Sequence, residues 1–272
     1  MGAECERRLL IESIRRYHEK LKVTDRKISV VWAVLPLIES IMVLLVLGIA
    51  LLTLSSIEQA LYNFYSFTIR DIVLHTVLCL IVLSFIFGLI ESYLVYLLVS
   101  IRNNHFNRQC LMIEDAIKYI HSYVSEKGIE EEIKHLLLSV EREFREMRYE
   151  KEHKPAIIYS LLVFLLGSGL GSIIKFYVFH FLNKDFYRHE RREDFVLEDL
   201  SSLIRKICGR DLAWTRPTPI PNRSSIIYIA LSILTLGLFV SYWIYCIIKD
   251  VNNHFEYQAS WEYSLLEILE TL

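Results

Sequence analysis

Four long stretches of the chain, residues 28–54, 72–101, 155–182 and 224–248, are apolar and almost uncharged. Each is long enough, at about 1.5 Å of helix rise per residue, to cross a hydrocarbon layer of about 30 Å. A single soluble core does not need such runs. The sequence therefore predicts an all-α membrane protein with four membrane segments, and it argues against a soluble enzyme or a secreted disulfide scaffold.

Charge predicts which ends of these segments face the cytoplasm. The N-terminal arm, residues 1–27, and the connector 102–154 are dense in lysine and arginine, whereas the connector 55–70 is aromatic and nearly uncharged. Positive loops stay on the cytoplasmic side. We therefore expect a multi-pass cell-membrane protein with cytoplasmic N- and C-termini. The aromatic side chains expected at the outer boundary are Tyr62, Phe64, Tyr65 and Phe67.

The connector 183–223 conflicts with simple alternation of four spans, which would place its nine lysines and arginines outside. One alternative is that segment three, interrupted by Gly167, Gly169 and Gly171, is a re-entrant hairpin, and that segment four turns back in the same way at Gly237. A turn at that depth must be buried in protein or line a wet cavity. Four ordinary spans is the interpretation that we favour from the sequence.

Outside the apolar segments, apolar residues recur at helical spacing and predict amphipathic helices. A basic one spans 1–27 and lies either on a membrane surface or on its own protein; two fill 102–154, and one fills 251–272. The resulting division has a first membrane pair at 28–101 and a second at 155–250, which includes a basic, proline-containing connector at 183–223. We expect the stripes to bury one another or to pair with a second subunit or another protein.

An internal repeat links segments two and four at a constant shift of 149 residues. Gly88 falls on Gly237 and Tyr93 on Tyr242 under this shift, so the sequence predicts two pseudo-repeats. Segment three ends in a weaker copy, residues 183–189. The repeated motif consists of Asn103, Asn104, His105, Phe106 and Gln109, and of Asn252, Asn253, His254, Phe255 and Gln258.

Segment four also resembles a known family. The residues that carry the resemblance are Leu234, Thr235, Leu236 and Gly237, then Tyr242, Trp243, Ile244 and Tyr245, then Lys249, Asp250 and Asn252. This run, within residues 222–258, is similar to the signature of small uncharacterised prokaryotic integral membrane domains. The resemblance implies a membrane location and no assigned activity.

Three ionisable residues, Glu39, Glu91 and Lys175, lie near the middle of apolar segments. Charge at that depth is costly, by about 2.5–3.5 kcal/mol on insertion scales. If the three side chains meet, they form either an ion or proton pathway or a buried salt bridge that fixes helix register. The salt bridge is a structural explanation and the pathway a functional one, and the sequence is compatible with either.

The histidines His105 and His254 occupy equivalent repeat positions, and each is followed four residues later by glutamine on the same helical face. Such residues cap and anchor helix ends, contact lipid headgroups or bind a metal, with His189 and either Glu190 or Glu193 completing the site. Histidine spacing of this kind is nonspecific. Whether a metal binds stays unknown from the sequence.

No catalytic residues or cofactor are predicted, because the sequence contains no phosphate loop, nucleophile elbow or paired-cysteine zinc motif. Its basic residues alternate with acidic ones, which argues against nucleic-acid binding. The bilayer is the expected partner, with a homo-oligomer or another membrane or cytoplasmic protein. The preferred function is a non-enzymatic membrane scaffold; a small ion or proton channel or transporter is the alternative, and a membrane metalloenzyme is the third.

Overall fold

The computed structural model of the chain describes residues 2–60, 66–149 and 151–272, and the regular structure in these residues is helical. The aromatic side chains expected at the outer boundary lie outside what the structure describes. The helices are α1 (Gly2–Glu19), α2 (Leu21–Thr24), α3 (Leu35–Ala60), α4 (Ser66–Lys127), α5 (Glu130–Tyr149), α6 (Ala156–Cys208), α7 (Ser225–Leu234) and α8 (Leu238–Thr271), with a 3-10 turn at Val30–Val34 ahead of α3.

Long helices connect the apolar end of the molecule to its charged end. Helix α4 has 62 residues, which corresponds to a length of about 93 Å, and α8 has 34 residues. The repeated motif therefore lies inside these helices and does not end them. The predicted domain boundaries after residues 101 and 250 likewise fall within continuous helix.

The apolar segment 155–182 is a helical hairpin. At its middle, Gly167 has φ 64° and ψ −168° and interrupts α6. A side chain at Gly171 would meet the carbonyl oxygen of Val163 at 2.7 Å, and the rings of Tyr159 and Tyr177 are 5.9 Å apart. Residues that approach on either side of position 167 require the second arm to run back along the first.

The apolar segment 224–248 turns back in the same way. Helix α7 ends at Leu234, and the turn that follows has φ 50° at Leu236 and φ 93° at Gly237. The ring of Tyr228 then lies 5.5 Å from that of Trp243, beyond the turn. The preference for four ordinary spans is therefore corrected for these two segments, because positive backbone φ angles end each first arm after 10 to 12 residues.

Among the residues that the structure describes, two helices are long and apolar enough to cross a membrane, Val30–Leu52 and Leu74–Lys127. They form the first hairpin, with α3 packed against the N-terminal part of α4, and the two shorter hairpins lie beside it. Large apolar side chains are exposed along all three hairpins. Examples are Leu52, 68% exposed, Leu78, 60%, Leu165, 66%, and Leu234, 78%. Apolar patches of this extent are rare on soluble monomers.

At the charged end, the amphipathic stripes bury one another in a helical core. Ile14 of α1, Ile113 of α4, Val140 of α5, Leu200 of α6 and Leu265 of α8 belong to one cluster and are almost completely buried. The basic N-terminal helix therefore packs on its own chain, the second of the two alternatives left open by the sequence. A separate apolar cluster fills the space between the hairpins, and a layer of polar residues lies between the two cores.

Candidate functional site: a histidine layer and a charged cavity

Three histidines meet in the polar layer, one each from α4, α6 and α8. His105, His189 and His254 are 0–2% exposed, and one ligand nitrogen of each lies within 4.8 Å of the others. The Nε2 atoms of His105 and His254 are 3.0 Å apart. Within the described residues, the buried Nε2 of His189 has no hydrogen-bond partner. The structure thus brings together the two repeat histidines and the third one singled out from the sequence.

Carboxylates face the outer nitrogens of two of these rings. His105 Nδ1 is 3.0 Å from Asp25 Oδ2. His254 Nδ1 is 3.4 Å from Glu190 Oε2 and 3.2 Å from Arg216 Nη1. Because an arginine can only donate, His254 Nδ1 accepts from Arg216, and the proton of His254 lies on Nε2, where it is donated to His105 Nε2. The Nδ1–H of His105 can then donate to Asp25.

The repeat glutamines extend the network on the same helical faces. Gln109 Nε2 donates to Glu193 Oε1, and Gln258 Nε2 donates to Glu262 Oε1 at 2.6 Å. Arg108 joins Glu262, at 2.8 Å, to Asp25, at 2.6 Å. The polar side chains of the motif thus serve a buried network in mid-helix, where all backbone groups of the helix are already satisfied.

Arg216 is not among the site residues predicted from the sequence, but the irregular connector between α6 and α7 places its side chain in this layer. Its guanidinium group is 3.0 Å from Glu190, 2.7 Å from Glu193 and 2.9 Å from Asp194. The three carboxylates lie on one face of α6, and their burial is tolerable because the arginine pairs with them. No periodic pattern marks a residue in a proline-rich connector, so the sequence carried no signal for it.

Burial sets the protonation of this layer. Burial, together with the neighbouring His105 and Arg216, lowers the pKa of His254 to about 3 despite Glu193 nearby. Burial and the two other histidines also hold the pKa of His189 well below its usual range. Both rings are therefore neutral at physiological pH. For Asp25, burial alone would raise the pKa, but His105 and Arg108 lower it below its usual range.

Aromatic rings from the same three helices enclose the histidines. Phe106 stacks on His189 with ring centroids 3.9 Å apart, and Phe255 lies 4.8 Å from His105. Phe186 of α6 contacts Phe106 at 5.4 Å. These contacts place the repeat phenylalanines next to the histidines and seal this side of the layer with apolar surface.

The repeat asparagines differ in their environments. Asn103 exchanges two hydrogen bonds with the backbone of Lys154, at 2.7 and 3.1 Å. Asn252 does the same with the backbone of Ile28, at 2.8 Å each. Each asparagine thus fixes the entrance to a hairpin that its own helix does not belong to. The neighbouring motif positions, Asn104 and Asn253, are exposed and lie apart from the buried network.

A second site lies among the three hairpins. Lys175 Nζ is 2.6 and 2.8 Å from the two carboxylate oxygens of Glu91 and 3.9 Å from Glu39 Oε2. The three side chains predicted to lie at similar depth therefore meet, and they line a cavity of about 370 Å³. The other polar lining includes Ser40 and Ser232, which are 6% and 2% exposed.

The turn of the third hairpin closes this cavity against α3. A side chain at Gly237 would lie 2.8 Å from Ser40 Oγ, so the backbone of the turn packs directly against the Ser40 side chain. Gly169, just past the interruption of α6, also lines the cavity. Both interrupted helices thus meet the charged residues at this point.

Comparison of the chain with known protein families, with curated proteins and with solved structures finds no match. The resemblance of residues 222–258 to uncharacterised membrane domains stays a prediction, and the candidate function depends on the geometry of the two sites.

Proposed function

We propose that the chain is an integral membrane protein whose three hairpins lie in the bilayer and whose N- and C-termini face the cytoplasm. Two observations support this topology. Exposed apolar side chains concentrate on the hairpins, and the turns at Gly167 and Gly237 return the connector 183–223 to the end of the molecule that carries residues 102–154. All the basic connectors then share one side, as positive-inside bias requires.

We also infer three repeats arranged in a ring, in place of the two predicted from the sequence. Asn103, after the first hairpin, holds Lys154 at the entrance of the second. Lys184, after the second, donates to the carbonyl of Arg223 at the entrance of the third, at 3.2 Å. Asn252, after the third, holds Ile28 at the entrance of the first. A cyclic order of this kind favours pseudo-threefold symmetry.

Within this architecture, we propose that the protein transports a proton or a small monovalent cation through the cavity among the hairpins. The observation that carries the proposal is the charge of the cavity: of its lining residues, Glu39 and Glu91 are acidic and Lys175 is basic. Because Lys175 is held by both oxygens of Glu91, the Glu39 carboxylate lacks a full counter-charge. A cavity in apolar surroundings must then take up a proton or a cation.

The depth of the cavity fits this role. Glu91 precedes Asn103 by 12 residues and Lys175 precedes Asn183 by 8, which corresponds to about 18 and 12 Å along a helix. If the asparagines mark the boundary, both groups lie near the middle of a hydrocarbon layer of about 30 Å. Interrupted helices at this depth are typical of transporter binding sites, where irregular backbone lines a cavity.

The scaffold that we preferred from the sequence stays a prediction, as do a homo-oligomer and a protein partner. We inferred the scaffold because amphipathic stripes need a partner surface that buries them. Residues of these stripes bury one another within the chain, among them Ile14, Val140, Leu200 and Leu265. The stripes therefore do not need another subunit or protein to bury them. The charged cavity therefore supports transport better than it supports a purely structural role.

Flux measurements in reconstituted vesicles test this proposal. With an imposed membrane potential and a pH-sensitive dye inside, the internal pH of protein-containing vesicles should change faster than that of protein-free ones. Separate arms of the experiment compare the flux in sodium with the flux in potassium. Glu39→Gln should reduce flux to the protein-free rate, whereas Glu130→Gln, a matched change at an exposed position of α5, should leave it intact. Equal flux in vesicles with wild-type protein and with no protein would refute transport.

A further inference from the structure

The histidine layer is separate from the charged cavity and is not needed for the transport proposal. Its inner nitrogens converge from three different helices, with two Nε2 atoms 3.0 Å apart and the third ring within 4.8 Å. We propose that His105, His189 and His254 bind one transition-metal dication of the zinc class. The site would be a metal centre that ties α4, α6 and α8 together at the boundary of the hairpins.

The distances suit such an ion. Two imidazole nitrogens bound to tetrahedral zinc at about 2.0–2.1 Å are about 3.3 Å apart, close to the separation of the His105 and His254 Nε2 atoms. The separations that involve His189, at most 4.8 Å, need to shorten by up to about 1.5 Å to reach the same spacing. Imidazole ligands without thiolates suit zinc, copper, nickel and iron, and not magnesium or calcium.

The outer nitrogen of His105 already has the partner that a metal-bound histidine needs, and that of His254 has a carboxylate nearby. A ligating imidazole usually donates its other N–H to a carboxylate, which orients the ring and increases its basicity. Asp25 is in position for His105. For His254, Glu190 Oε2 lies 3.4 Å from Nδ1, but the hydrogen bond to that nitrogen comes from Arg216. A metal ion on Nε2 of His254 would move the ring proton to Nδ1, facing Glu190, and Arg216 would have to turn its N–H away from His254 while it keeps its contacts with Glu193 and Asp194.

The surroundings carry the charge that a dication neutralises. Among the described residues that pair around the histidines, five negative and two positive charges leave an excess of three when all are ionised, and the nearby Arg102–Asp185 ion pair adds no net charge. The residues are Asp25, Glu190, Glu193, Asp194 and Glu262, and Arg108 and Arg216. A dication would reduce this excess to one.

A hydrogen bond between the imidazoles of His254 and His105 is the competing explanation. In that arrangement Arg216 donates to His254 Nδ1, and His254 Nε2–H donates to His105 Nε2. It leaves the buried Nε2 of His189 without a partner in the described part of the chain, which is costly. A metal ion satisfies all three rings, so the trio as a whole favours metal binding.

X-ray absorption at the zinc edge tests the proposal on the unaltered protein. The full chain, purified in detergent and stripped with a chelator, is reloaded with Zn²⁺ and freed of excess metal. We expect one zinc per chain, with nitrogen scattering at about 2.0 Å and the outer-shell pattern of several imidazoles. A chain that retains no zinc, or zinc without imidazole scattering, would overturn the proposal, irrespective of any flux result.

Variants locate the site and separate binding from folding. His105→Ala, His189→Ala and His254→Ala should each lose stoichiometric zinc, whereas His135→Ala, at an exposed position of α5, should retain it. Asp25→Asn keeps all three ligands and should weaken zinc affinity about 10–100-fold. Unchanged zinc affinity in Asp25→Asn, or unchanged zinc content in the three ligand variants, would also overturn the assignment. Loss of zinc counts only for variants whose circular dichroism matches that of the wild type.

Discussion

Asn103 and Asn252 make the same pair of hydrogen bonds, each to the N–H and the C=O of one residue at the entrance of another hairpin. The two residues are 149 positions apart in the sequence repeat. The repeat therefore specifies how one hairpin is attached to another, in addition to specifying helix. Removing either contact should loosen the attachment between hairpins.

Asn252→Ala should destabilise the protein by about 1–3 kcal/mol, because it leaves the N–H and C=O of Ile28 without their partner in a partly buried place. Asn253→Ala changes an exposed neighbour and should alter stability by less than about 0.5 kcal/mol. Denaturant unfolding in mild detergent, followed by circular dichroism, measures the difference. Equal stabilities of the two variants would show that the hydrogen bonds between Asn252 and the Ile28 backbone do not contribute to stability.

Gly167→Ala should destabilise the second hairpin. With φ 64° and ψ −168°, this glycine has a conformation that costs other residues about 1–3 kcal/mol. Gly169→Ala is the matched control, because a side chain at this position meets nothing within 4 Å and the backbone of Gly169 does not have a positive φ. Thermal unfolding should rank Gly167→Ala below Gly169→Ala; the reverse order would contradict the hairpin turn.

Arg216→Met should cost about 3–5 kcal/mol at neutral pH, because it leaves buried carboxylates unpaired. Burial already raises the pKa of Glu190 and of Asp194 against the opposing effect of Arg216, and loss of the arginine raises both further. A raised folded-state pKa makes the folded state relatively more stable below the unfolded pKa and less stable as the pH rises through the folded value. The variant should therefore regain stability relative to the wild type as the pH is lowered from 8 towards 5.

The control for this charge is Arg210→Met, which removes a half-exposed ion pair with Glu267 and should cost at most about 1 kcal/mol. Denaturant unfolding at a series of pH values compares the two variants. A deficit in Arg216→Met that stays the same across this pH range would mean that the carboxylates around position 216 do not carry its effect.

Sequence spacing alone predicts the helical structure. It also predicts the charged residues Glu39, Glu91 and Lys175 at similar depth, and the shared helical face of each repeat histidine and the glutamine four residues later. Periodicity reports which residues face one side of a helix, and charge in an apolar run is conspicuous. The turn at Gly167 could not be inferred in the same way, because glycine is equally compatible with close helix packing and with a positive φ.

His189 and Arg216 show a second limit of prediction from the sequence. His189 aligns with Gln109 in the repeat and not with His105, so the repeat alone did not predict that its ring joins the other two; the sequence offered His189 only as one way to complete a metal site. Asp25 and Arg216 lie in irregular segments without periodicity, and long-range packing alone brings them to the polar layer.

Sidedness of labelling tests the central claim, that the third and fourth apolar segments return to the side from which they started. In vesicles of one orientation, with the native cysteines replaced, single cysteines are compared at position 5, at Asn63→Cys in the first connector and at Thr218→Cys between α6 and α7. An impermeant thiol reagent should label Cys5 and Thr218→Cys from the same side and Asn63→Cys from the other. Labelling of Thr218→Cys together with Asn63→Cys would contradict the hairpin architecture.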